Sequence, residues 1–172
     1  RIEAGGLEMS FEELDALGLV NASIDLAKPL ADQKGVRLEL VSDIPEFTNV
    51  YCDRLRFNQV MINILSNSIK YNKERGAVFV RISRECEGMV RLEISDTGAG
   101  IAENQKQNLF VPFNRLGLED SEIQGTGIGL SITKDLVESM GGSIDFESEE
   151  GVGSTFRFTV PCAGVQAHSS VS

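Results

Sequence analysis

Apolar residues recur along this chain with two periods, and the change from one to the other divides it into elements. Over residues 14–34, Leu19, Val20, Ile24, Ala27, Leu30 and Ala31 fall near steps of three and four, which predicts a helix with one buried face. Pro29 is placed to kink it and Gly35 to end it. The same spacing joins Phe57, Val60, Met61, Ile64, Leu65 and Ser68 in a second helix over 54–71. A third covers 131–140, with Leu130, Leu136, Val137 and Met140 inward and Gly141-Gly142 as its stop. Elsewhere the period falls to two. Residues 36–41, 77–83, 89–95, 143–148 and 154–160 read as strands, and Val50-Tyr51-Cys52 reads as a short partner of 36–41 across the turn at Pro45.

Several polar patterns do not follow from folding alone. Gln59, Asn63, Asn67 and Lys70 form a stripe beside the buried face of the second helix. Asn is a poor helix former, and a stripe needed only for solvation would do better with Glu or Lys, which favours a ligand-facing edge. The strand 89–95 runs into Asp96-Thr97-Gly98-Ala99-Gly100-Ile101, either a plain turn or a carboxylate acceptor beside a backbone that a flat ring can approach. In Gly125-Thr126-Gly127-Ile128-Gly129-Leu130 the alternating glycines bring main-chain N–H groups within reach of a ligand, at the positive end of the helix that follows. That makes a cradle for a polyanion, against a glycine-rich turn with no ligand. Residues 102–124 are long for a connection, as a lid is. Phe110 and Phe113 would anchor it by burial and Arg115 would point a fixed charge at a phosphate; an irregular helix with core phenylalanines and a surface arginine is the other reading.

Composition narrows the field. At 172 residues the chain suits one domain with a substantial core. Its net charge of −10 has the wrong sign for nucleic-acid binding, though a nucleotide at one local site remains compatible. Cys52, Cys86 and Cys162 match neither a disulfide framework nor a zinc pattern, and fit reduced cytosolic thiols. The single histidine, His168, lies in a Ser-rich tail and leaves nothing from which to build a histidine triad or a His-ligated metal site. No apolar run approaches the roughly 20 residues that span a bilayer, so direct membrane contact is not expected. Residues 1–10 read as the remnant of something longer, 11–161 as the folded domain and 162–172 as a flexible tail.

Asn63 and Asn67 on a helix, Asp96-x-Gly98-x-Gly100, Phe110-x-x-Phe113-x-Arg115, Gly125-x-Gly127-x-Gly129-Leu130 and Gly151-x-Gly153-x-Thr155, in this order, resemble the N, G1, F, G2 and G3 boxes of the ATP-binding catalytic domain of two-component sensor histidine kinases. The resemblance covers about 54–161. It implies an α+β fold, a two-layer α/β sandwich of the Bergerat type, in which a mixed, mostly antiparallel sheet is covered on one face by helices, with an ATP lid. It further implies that Asp96 accepts the adenine amino group directly and through a water supported by Thr155. Gly98 and Gly100 would make room for the base and Ile101 would pack on it, with Phe110 anchoring the lid. Asn63 and Asn67 would face the triphosphate and its Mg²⁺, Lys70 would reach a phosphate, and Tyr71 would pack near base or ribose. The stretch Gly125, Thr126, Gly127, Ile128, Gly129, Leu130 would cradle the phosphates, and Arg115 would contact the terminal one.

In the family that the chain resembles, the nucleophile is a histidine on a dimerisation hairpin, and His168 does not match its position. The chain therefore reads as the ATP-holding half of a kinase, monomeric by itself, with the hairpin and a response regulator as partners and the cytoplasm as its compartment. Two other functions compete. A related ATP hydrolase would carry a Glu base where Asn63 stands, and an amide has no useful basicity near neutral pH. A nucleotide-sensing module without catalysis would show the same boxes.

Overall fold

The computed structural model of the chain describes residues 2–4, 7–85, 88–111 and 129–164. It begins with a hairpin of β1 (Ile2–Ala4) and β2 (Leu7–Met9), then β3 (Glu12–Asp15), α1 (Ala16–Lys34), β4 (Arg37–Asp43) and β5 (Asn49–Cys52). There follow α2 (Arg54–Lys70), β6 (Ala77–Glu85), β7 (Met89–Asp96), the single turn α3 (Glu103–Lys106), α4 (Gly129–Ser139), β8 (Ile144–Glu149) and β9 (Gly153–Pro161). Five strands form one sheet in the order β4-β6-β7-β9-β8, parallel between β4 and β6 and antiparallel elsewhere.

Alternation along the strands sets the two faces of this sheet. Val78, Val80 and Ile82 of β6, Val90, Leu92 and Ile94 of β7, and Phe156, Phe158 and Val160 of β9 join the helices in a single core. On the other face Arg157 reaches Asp145 at 2.8 Å and Glu147 at 3.3 Å, and Arg81 reaches Asp43 at 3.3 Å. The result is the two-layer α+β sandwich that the motifs implied. Helix α2 is held by burial rather than propensity: Phe57, Val60, Met61, Ile64, Leu65 and Ile69 are each at most 1% exposed. Each such side chain contributes about 1.5–3 kcal/mol, enough to carry asparagines along the helix edge.

Two expectations are corrected. Strand β4 does not pair with Val50–Cys52; it pairs in parallel with β6, from Arg37↔Ala77 to Asp43↔Ser83, because α2 lies between them and makes the crossover a parallel pair needs. Residues Asn49–Cys52 instead pair with β3, and Val50 bridges to Cys162. Helix α1 starts at Ala16, since Leu14 is in β3 and the Asp15 carboxylate caps the helix by accepting the Gly18 N–H at 2.8 Å. It then runs unbroken through the exposed Pro29.

The packed body is also wider than 11–161. Met9 is fully buried, and the Ser10 N–H donates to Asp53 Oδ2 at 2.7 Å. At the other end Cys162 is buried and donates its N–H to the Gly88 carbonyl at 2.9 Å, while Ala163 donates to Asn49 O at 2.9 Å.

Candidate nucleotide site

The C-terminal half of α2, the loop after β7, the start of α4 and the β8–β9 turn enclose a cavity of about 470 Å³. That volume suits a nucleotide-sized ligand. From α2 and its end come Asn67, Ser68, Lys70 and Tyr71; from the loop, Asp96, Gly100 and Ile101; from α4, Leu130; and from β9, Ser154 and Phe156. Lys34, at the end of α1, completes one wall.

Asp96 is the last residue of β7 and lies opposite Ser154 of β9. Its Oδ1 accepts the Gly98 N–H at 2.9 Å and the Ser154 N–H at 3.3 Å. Burial pushes its carboxyl above the ordinary value, and these two backbone donors with the nearby Ser68 hydroxyl offset part of that rise. Ser68 is 3% exposed and its Oγ makes no hydrogen bond of good geometry. A buried hydroxyl that faces a carboxylate in a cavity wall without a well-aligned hydrogen bond fits a site completed by a ligand or its water.

The loop holding Asp96 is fixed to the β8–β9 turn by main chain. Gly151 N–H donates to Ala99 O at 2.6 Å, and Ile101 N–H donates to Ser148 Oγ at 2.8 Å. Gly100 has φ +72°, and a Cβ there would stand 2.1 Å from Glu149 O; one on Gly153 would stand 2.1 Å from Asp96 O. A Cβ on Gly98 would meet Tyr71 O at 2.6 Å. These glycines are therefore required by backbone packed against backbone, where the sequence suggested room for a base. Below them Asn72, 7% exposed, donates to Ala77 O at 3.0 Å and accepts from Thr97 Oγ1 at 2.9 Å, locking the end of α2 to the sheet.

A family model described as Histidine kinase-, DNA gyrase B-, and HSP90-like ATPase matches residues 52–164. The chain belongs to that family. It is 36% identical over 94% of its length to hybrid signal transduction histidine kinase B of Dictyostelium discoideum, and 38% identical over 90% to virulence sensor protein BvgS of Bordetella bronchiseptica. It spans 8% and 13% of those two proteins. Among solved structures, the catalytic domain of histidine kinase ThkA superposes with a TM-score of 0.76 at 28% identity, covering 89% of this chain and 96% of that one. Full-length ShkA in complex with AMPPNP gives 0.76 at 30%, covering 91% of this chain and 32% of that one. Within the family this is an ATP-binding domain of the histidine kinase type.

In this histidine kinase-type domain, Asn67, Lys70, Tyr71, Asp96, Gly100, Ile101 and Leu130 meet around one cavity. Asn63 lies one turn before Asn67, and its Nδ2 donates to the buried Thr133 Oγ1 of α4 at 3.1 Å. One position differs from expectation in which residue faces the cavity. Thr155 bonds Ser95 Oγ at 2.8 Å on the outer face of the sheet, and Ser154, one residue earlier and so on the inner face, lines the cavity. Phe110 is anchored by packing, as expected, edge-on against Phe146 at 5.9 Å with Lys134 Nζ 5.6 Å from its ring centre; like Asn63 and Gly98 it is not among the described residues that line the cavity. Gly129 opens α4. Arg115, Gly125, Thr126, Gly127 and Ile128 lie outside the described residues. Lys34, Ser68 and Ser154 were missed. The alternation Ser154, Phe156, Phe158, Val160 carries the signal for the last, whereas Lys34 is brought in from α1 by the tertiary fold.

Proposed function

We propose that this domain binds ATP with Mg²⁺ in the cavity and passes the terminal phosphoryl group to a histidine on a dimerisation hairpin outside this chain, within a two-component signalling protein. The observation that carries the reading is the convergence of a half-buried carboxylate, a buried hydroxyl beside it, an asparagine and a lysine on one cavity of nucleotide size.

Asp96 accepts a hydrogen bond from the adenine amino group, with Ser68 Oγ and Ser154 placed to hold a water beside it. Ile101 and Phe156 supply apolar surface for the ring. The amide oxygens of Asn63 and Asn67 would hold the cation, the hard neutral donors that Mg²⁺ accepts. Bound there, the ion supplies neutralisation of phosphate charge. Lys70 and Arg115 add fixed positive charge, and the main chain of 125–130 adds N–H donors. Phosphoryl transfer needs such positioning and charge more than covalent help from the protein. Asn63 holds no proton-accepting group near neutral pH, so water is poorly activated and transfer to the histidine is favoured over hydrolysis. The hairpin and a response regulator are the partners this implies. Among the described residues no helix is long and apolar enough to cross a membrane.

The test uses ATP labelled on its terminal phosphate, this chain and a hairpin bearing the acceptor histidine. Acid-labile label on the hairpin is expected. Binding of ATP with no transfer would leave a sensing module instead.

A further inference from the structure

We propose that Lys34 contacts the phosphate next to the ribose of the nucleotide held in the cavity, an inference that rests on the nucleotide reading above. Lys34 is the last residue of α1 and half-buried in the cavity wall. Its Nζ donates to the Lys70 carbonyl at the C-terminal end of α2. An ammonium carries three donors and that carbonyl takes one.

Among the described residues Lys34 forms no ion pair, although burial already disfavours its charge and lowers its pKa. The cavity's carboxylates are Asp96, turned to the Gly98 and Ser154 amides, and the exposed Glu150. A charged group that loses hydration without gaining a carboxylate is stabilised when an anion enters beside it.

Position selects the part of the ligand. Asn67, which would serve the outer phosphates, is one helical turn before the Lys70–Tyr71 corner that Lys34 holds, and Asp96 marks the base end. Between them lies the phosphate nearest the sugar. Lys34 thus has two duties, closing the C-terminus of α2 and presenting charge to the cavity, and only the second depends on the ligand's phosphate.

AMP, ADP and adenosine are competed against a fluorescent ATP analogue on the unaltered chain, Lys34→Gln and Lys34→Arg. Gln keeps a donor for the Lys70 carbonyl and removes the charge. AMP and ADP should weaken about tenfold in Lys34→Gln while adenosine stays within about twofold, as for the loss of one charge-assisted hydrogen bond. Lys34→Arg should recover most of the loss. An equal loss for adenosine, or none for AMP, overturns the inference and leaves the nucleotide site standing. If the unaltered chain binds no nucleotide, both readings fall. Should Lys34→Gln fail to fold, NMR of methylated lysines in the folded chain decides: AMP must shift the Lys34 signal and adenosine must not.

Discussion

Asp96 is kept in a cavity that disfavours its charge, and that tension is measurable. Its carboxyl pKa is raised above the ordinary 3.8, chiefly by burial. A raised folded-state pKa gives stability that is complete below the unfolded value and lost as pH rises through the folded one. The ionised form therefore costs stability at neutral pH. Asp96→Asn keeps an acceptor for the Gly98 and Ser154 amides and removes the half-buried charge, so it should melt higher than the parent at about pH 7, with the difference closing toward about pH 4. The same change should weaken ATP binding about tenfold by calorimetry, because an amide can present a donor to the adenine amino group. Higher stability with unchanged affinity would tell against adenine at Asp96. The glycines give a second contrast. Gly100→Ala puts a methyl 2.1 Å from the Glu149 carbonyl at φ +72°, whereas Gly151→Ala, at φ +84°, meets nothing within 4 Å. Urea denaturation should show a loss of about 1 kcal/mol for Gly151→Ala and at least about 3 kcal/mol for Gly100→Ala.

At the scale of elements, α2 does two jobs from two faces. Its apolar face fills the core, and the adjoining edge carries Asn63, Asn67 and Lys70 at helical steps. Those steps were legible because both periodicities are local, and the helix ran from Arg54 to Lys70 against an expected 54–71. Asn63 is outside the apolar face of α2, so Asn63→Glu should keep the fold while giving up the bond to Thr133 of α4. Given a carboxylate base beside the phosphates, ATP hydrolysis should rise about 10-fold or more in a phosphate-release assay. Unchanged turnover would place Asn63 away from the attacking water. Pairing of β4 was not legible in the same way: its partner β6 follows after the whole of β5 and α2, and the alternation of residues 36–41 says which face is buried without saying which strand lies beside it. The sequentially nearer Val50–Cys52 was the natural choice, and β3 claimed it because Leu14 and Val50 are both buried in register.

On the scale of the whole molecule, Met9 and Ser10, ahead of the expected domain, are tied into the body. Met9 is buried against the core, and the Asp53 carboxylate both accepts the Ser10 N–H and caps α2 through Arg56 N–H at 3.0 Å. Met9→Ala should cost about 2–4 kcal/mol of unfolding free energy in denaturant melts, the usual figure for a buried cavity, where a mere connecting segment would show no change. A stretch as short as 1–10, with two adjacent glycines, is too brief to establish a period, so the burial of Met9 becomes visible only when the pocket that receives it exists.

By itself the sequence determined the helices α2 and α4, the strands of the sheet except their order, and the chemistry available at Asn63, Asn67, Lys70 and Asp96. These follow from periodicities and turn residues that act over a few neighbours. Tertiary structure alone decided that β4 runs parallel to β6, that Ser154 rather than Thr155 faces Asp96, and that Lys34 reaches the cavity from a helix some 60 residues before Asp96. Burial and backbone contact between distant segments settle such matters, and no local pattern encodes which distant segment will arrive.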